Sequence, residues 1–255
     1  AGLAAFDLAY QDWATRNVPR GDRLEWENCR NILWQYFSAN TSDKPQRFTA
    51  HPNLIEQPFE LPLSDEGDVV LIGRPDAVGT WESGDMIVLD DKTTGNLSDY
   101  WAKKWRTDSG QSGYVWAMRQ LGHNVIGTVI NGVEFKKLPS DPTRKCKDHK
   151  VSYSECGVRH AKWGFYGPYP RDPGWLEEWR QDAVRLARKF RDLLADAPDL
   201  SFAQALPMTG TFNGHCGFCE FADTCLSGRS PALMEANLVV SEWDPRKPIE
   251  ELQQS

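Results

Sequence analysis

No apolar run in the chain approaches the roughly 20 residues that a membrane-crossing helix needs, so nothing in it reads as a span. The start lacks the pattern of a secretory leader, and a cytoplasmic, reducing setting is the expectation. The chain also lacks an initial Met and opens in a segment of helical pattern, so a truncated N-terminal region is expected. Internal repeats are absent. Positive charge is in deficit: 29 Lys and Arg face 36 Asp and Glu, for a net charge of −7. That balance excludes a basic coat for nucleic acid and leaves any polyanion contact to a local patch. With 255 residues, 40% hydrophobic and 25% charged, the chain can bury one substantial core, or a core plus a small module.

Glycine and proline are scarce from 22 to 40, where a helix is predicted. Leu24, Ile32, Leu33, Tyr36 and Phe37 recur at three- and four-residue steps, as one buried stripe does. Cys29 falls on that stripe and reads as a small core residue. Residues 53–63 predict a first strand in which Glu56 and Glu60, an even number apart, share a face. Both also suit the wet side of a half-exposed strand.

Two successive strands follow, Ile72-Gly-Arg-Pro-Asp-Ala-Val78 and Ile87-Val-Leu-Asp-Asp-Lys-Thr-Thr94. Alternation puts Asp90 and Lys92 on one face and Asp91 on the other with Ile87 and Leu89. Pro75 has no N–H, so the ladder should be broken beside Asp76. Carboxylates at the ends of apolar strands are costly to bury unless a hard cation keeps them ionised. The plainer alternative is a turn closed by Asp76 and a surface Asp90–Lys92 pair of little energetic value. Residues 111–122 predict a helix ended by Gly122, and Val125–Phe135 a fourth strand. Strand, strand, strand, helix, strand implies an α/β core with a mixed sheet.

Residues 96–107 are basic and aromatic, with Trp101, Lys103, Lys104, Trp105 and Arg106. From 136 to 162, eight basic residues face three acidic ones, and Trp163, Phe165, Tyr166 and Tyr169 follow. Such a tract suits a strand-binding groove, with charge on phosphates and rings under bases, or a solvated loop. Residues 174–195 carry an amphipathic helix. Cys216, Cys219 and Cys225 then form a close triplet whose usual purpose is a metal, either zinc or iron–sulfur. Cys146 and Cys156 suit a metal hairpin, a disulfide or neither.

At Pro75-Asp76 and Asp90-Asp91-Lys92 the sequence resembles the PD-(D/E)XK nuclease superfamily. The nearest likeness is to its RecB-like branch, with phage-type exonucleases and CRISPR-adaptation nucleases. The resemblance implies a restriction-endonuclease-like α/β fold, a central mixed sheet flanked by helices, with a C-terminal cysteine-cluster staple. It implies that Glu56 (Glu60 in reserve), Asp76 and Asp90, with the backbone of Asp91, hold Mg²⁺ or Mn²⁺. Lys92 would then act on the phosphate or the attacking water. Gln111 and Tyr114 match a Gln–Tyr pair on the following helix, three residues apart where four is usual. Cys216, Cys219 and Cys225 match the ligands of a 4Fe–4S cluster, with zinc as the other occupant. Cys29 is the upstream Cys that could be the fourth ligand, and His51 is a loose counterpart of the branch's active-site His.

The implied organisation is an N-terminal helical region 1–52, a nuclease core 53–200, a cysteine segment 201–228 and a tail 229–255. The implied function is hydrolysis of single-stranded or frayed DNA ends, beside recombination, repair or CRISPR-adaptation proteins and away from membranes. A DNA-binding or assembly module without catalysis and a zinc-stapled structural protein are the alternatives.

Overall fold

The computed structural model describes residues 4, 6–11, 26–39, 47–135, 145, 150–151, 162–195, 232, 236 and 246. Ile87, Val88 and Leu89 form an uninterrupted apolar run, which a strand can bury only when both its faces are covered. They are the buried middle of β5 (Met86–Thr94). Its parallel neighbour β6 (Val125–Glu134) is buried along nearly its whole length. β4 (Ala77–Trp81) pairs antiparallel with β5, and β1 (Phe48–Ile55) with β4. β7 (Lys162–Pro170) closes the far edge antiparallel to β6. The five-stranded order is β1-β4-β5-β6-β7, a mixed sheet flanked by helices as expected.

Helices cover both faces. On one, α1 (Trp26–Ala39) lays Cys29 and Ile32 against Val133 and Phe135, with Leu33, Tyr36 and Trp163 around them. Phe37, predicted on the buried stripe, is 41% exposed. On the other face lie α2 (Asp99–Lys103), a 3₁₀ turn (Lys104–Arg106) and α3 (Ser109–Gln120). Trp101 and Trp105 pack there with Ile130. Asp108 caps α3 by accepting the Gln111 N–H at 3.0 Å. Gly122, at φ 88°, ends it in the left-handed conformation that favours glycine. Arg119 then fastens the helix end to β6 through Val125 O at 2.8 Å.

Three expectations are corrected. The predicted strand 53–63 is two elements, because Glu56 turns the chain at φ 50° and Pro58 follows. β1 ends at Ile55, and β2 (Phe59–Pro62) pairs instead with β3 (Val70–Gly73) in a separate two-stranded sheet. Glu60 therefore does not share a face with Glu56, and it accepts from Arg246 at 3.0 Å. The aromatics of 163–169 do not lie in a loop beside the basic tract. They belong to β7, where Phe165 meets Trp81 edge-on at 5.4 Å and Tyr166 meets Trp101 at 5.3 Å.

Residues 1–57 with 74–176 form one compact unit, and 58–73 with 177–255 another. In the second, α4 (Pro173–Ala195) contributes Arg188, which reaches Glu66 at 2.6 Å and Asp68 at 2.7 Å. No described helix is long and apolar enough to cross a membrane. Cys146, Cys156, Cys216, Cys219 and Cys225 lie outside the described residues, as does most of the basic tract.

Candidate active site

The broken ladder at Pro75 builds the site. Pro75 is buried and cannot donate, so β3 stops at Gly73 and β4 restarts at Ala77, leaving Asp76 at the break. Asp76 Oδ2 accepts the backbone N–H of Asp91 at 2.6 Å. Asp76 O accepts the N–H of Glu56 at 3.1 Å, which brings the end of β1 to the same point. Glu56 holds a left-handed backbone that costs a non-glycine residue about 1 kcal/mol, and such strain gathers at functional sites.

Asp90 and Lys92 share a face of β5, as alternation predicts. Asp90 is 2% exposed, and Lys92 Nζ stands 2.5 Å from its Oδ2. The Lys92 ammonium, with three N–H donors free to rotate, is the charge partner of this buried oxygen. Asp91 points to the opposite face, where its register partner Asn131 donates from Nδ2 to Oδ1 at 2.6 Å. The same Nδ2 reaches Tyr36 OH at 2.8 Å. Glu56 Oε2 pairs with Arg74 Nε at 3.0 Å.

Four carboxylates thus gather against two cations, Arg74 and Lys92. Burial pushes Asp90 and Asp91 above the ordinary carboxylate range, each raised further by Asp76. Lys92 offsets part of this at Asp90, and Asn131 part of it at Asp91. Glu56 is raised by burial and then by Asp76, against the pull of Arg74. Tyr114 on α3 is pushed up to about 12, first by burial and then by the charges of Asp90 and Asp76. The tyrosine therefore faces the cluster. Gln111 is buried at 3% exposure, and its Oε1 has no hydrogen-bond donor.

Among the described residues, no three His, Cys, Asp or Glu side chains stand close enough together to hold a metal ion. The side chains present fit a hard divalent cation in donor chemistry: they are all oxygen and in charge excess. Their rotamers, however, pair Glu56 with Arg74 and Asp90 with Lys92. Cys29 sits 5% exposed in the apolar cluster of α1. His51 lies on β1 with Nε2 3.0 Å from Thr80 Oγ1.

Sequence reasoning missed Arg74, Asn131 and Tyr36. Asn131 left a readable signal, the only amide side chain in the mostly apolar β6. Tyr36 left none, since its stripe position is that of a core aromatic.

In a search against known proteins, the family model of the PD-(D/E)XK nuclease superfamily matches residues 4–226. No curated protein matches the chain.

Proposed function

The chain belongs to the PD-(D/E)XK nuclease superfamily, and on that premise we propose that it is a metal-dependent DNA nuclease acting on single-stranded or frayed ends. One observation carries the reading. A buried Asp90 paired with Lys92, beside Asp76 bonded to the Asp91 amide, unites both halves of the motif at a break in the sheet.

Asp76, Asp90 and Glu56, with the backbone carbonyl of Asp91, would hold one or two Mg²⁺ or Mn²⁺ ions. A bound ion supplies Lewis acidity toward the phosphate and lowers the pKa of its water. Lys92 offers a fixed positive charge where negative charge grows on a phosphoryl group. Arg74 keeps Glu56 within the cluster, and Asn131 holds Asp91 so that its amide faces Asp76. Tyr114, with its pKa near 12, stays a phenol at neutral pH and can donate a hydrogen bond. The cysteine triplet, with Cys29 as the candidate fourth ligand, would carry a 4Fe–4S cluster or zinc, which iron and sulfide analysis distinguishes.

The test is cleavage of end-labelled single-stranded DNA with Mn²⁺, comparing the wild type with Lys92→Ala and Asp90→Ala. The expected outcome is cutting by the wild type only, with both variants folded. The separate ion pairs of Glu56 and Asp90 favour a second reading, a binding module of the same fold. A wild type that binds DNA and never cuts it establishes that reading instead.

A further inference from the structure

The 3₁₀ turn after α2 carries a cationic strip beside Lys92. Trp105 at its centre is 7% exposed, and its ring is approached by two ammonium groups. Lys104 Nζ lies 4.2 Å from the ring centroid and Lys92 Nζ 6.0 Å. Lys103, Lys104 and Arg106 are exposed, and among the described residues none of them has a carboxylate partner. In a chain of net charge −7, three cations within four residues, unpaired among the described residues, make a local basic surface suited to an external anion.

The strip is rigidly mounted. Trp101 stacks edge-on against Trp105 at 5.4 Å. Arg171 donates to Trp105 O at 2.9 Å, and Tyr169 OH to Ala102 O at 3.1 Å. Beneath Trp101 lies Gly132, the register partner of Lys92, where an added Cβ would come within 2.7 Å of the indole. Lys104 is therefore held at a fixed place relative to Lys92. Since both ammonium groups are measured from one ring, they are at most 10.2 Å apart, the sum of the two distances. At the axial spacing of about 3.4 Å per nucleotide in a stacked strand, that is at most about three nucleotides.

We propose that Lys104, flanked by Lys103 and Arg106, binds the phosphodiester backbone of the nucleic-acid strand within about three nucleotides of the phosphate that Lys92 faces. The inference rests on the nuclease reading only for the role of Lys92. Trp105 and Trp101 serve as the mount, being too buried to stack on bases.

The experiment is a fluorescence-anisotropy titration of a labelled single-stranded DNA oligonucleotide with the full chain in EDTA, repeated over a series of salt concentrations. One phosphate contact contributes about 0.7 to the slope of log K against log salt for a single strand. Lys104→Met, which keeps the alkyl stem on Trp105, should lower that slope by about 0.7, and Lys104→Arg should restore it. Replacing Lys103, Lys104 and Arg106 together should lower it by about 2. In cleavage with Mn²⁺, Lys104→Met should raise KM and leave kcat unchanged. A slope for Lys104→Met equal to that of the wild type overturns the proposal, as does failure of the wild type to bind the oligonucleotide. Loss of slope in a wild-type background that never cuts upholds the strip and defeats the nuclease reading, so the two failures are told apart.

Discussion

Asn131 offers the sharpest test of how the site is held. Its Nδ2 donates to Asp91 Oδ1 at 2.6 Å and reaches Tyr36 OH at 2.8 Å, while its Oδ1 is buried without a donor. Asn131→Leu removes a bond to a charged acceptor, about 1.5–3 kcal/mol, and a neutral one, about 0.5–1.5 kcal/mol. It also removes the orphaned Oδ1, whose desolvation costs about 1–3 kcal/mol. The opposing effects nearly cancel, and a net destabilisation of about 1 kcal/mol is expected at about pH 7. Asn131→Asp swaps a donor for a second carboxylate against Asp91, and should cost about 3–5 kcal/mol, as breaking a buried charge arrangement does. The larger part of the Asn131→Leu loss requires Asp91 to be ionised. Asn131 holds the Asp91 pKa down against burial, so the effect is present above that pKa and shrinks as Asp91 protonates. Urea unfolding of both variants at about pH 7 and about pH 4 measures this. If Asn131→Leu proves worse than Asn131→Asp at neutral pH, the assignment of Nδ2 as the donor to Asp91 is wrong.

Other outcomes follow from the same site. Glu56→Gly relieves a left-handed backbone worth about 1–2 kcal/mol, against glycine's entropy cost of about 0.5–1 kcal/mol and a weak ion pair 45% exposed at the Glu56 end, so the unfolding free energy from urea titration should hold or rise by up to about 1 kcal/mol while cutting is lost. Asp90, Asp91 and Glu56 bind protons more tightly folded than unfolded, so their contribution to stability declines as pH rises through the raised range. Mn²⁺ should therefore raise the melting temperature at about pH 7 and do little at about pH 4, where protons compete for the same oxygens; equal shifts at both values would place the ion elsewhere. Tyr114→Phe should change the cleavage rate without moving the alkaline limb of its pH profile, because the phenol titrates only near 12; a shifted limb would contradict that assignment.

Much was legible because local rules acted alone. The run Ile87-Val-Leu89 demanded a strand covered on both sides, and alternation then put Asp90 and Lys92 together and sent Asp91 the other way, as the ion pair and the Asn131 bond bear out. The missing N–H of Pro75 foretold the break at Asp76. What failed did so where partners were distant. Glu56 reads as mid-strand until the chain is seen to turn there and hand Phe59–Pro62 to another sheet. Trp163, Phe165, Tyr166 and Tyr169 read as an open binding surface until β6 is seen to take them as an edge strand.

The sequence by itself determined the α/β class, the central strand β5 with the helix and strand that follow it, and the motif that assigns the superfamily, because side-chain periodicity and backbone donors are properties of neighbours along the chain. Only the tertiary structure decided that Arg74, Asn131 and Tyr36 serve the carboxylates, and that Lys104 shares the ring of Trp105 with Lys92. Asn131 lies 40 residues from Asp91 and 95 from Tyr36. Interactions across such separations depend on which strands and helices become adjacent, and no local spacing encodes that.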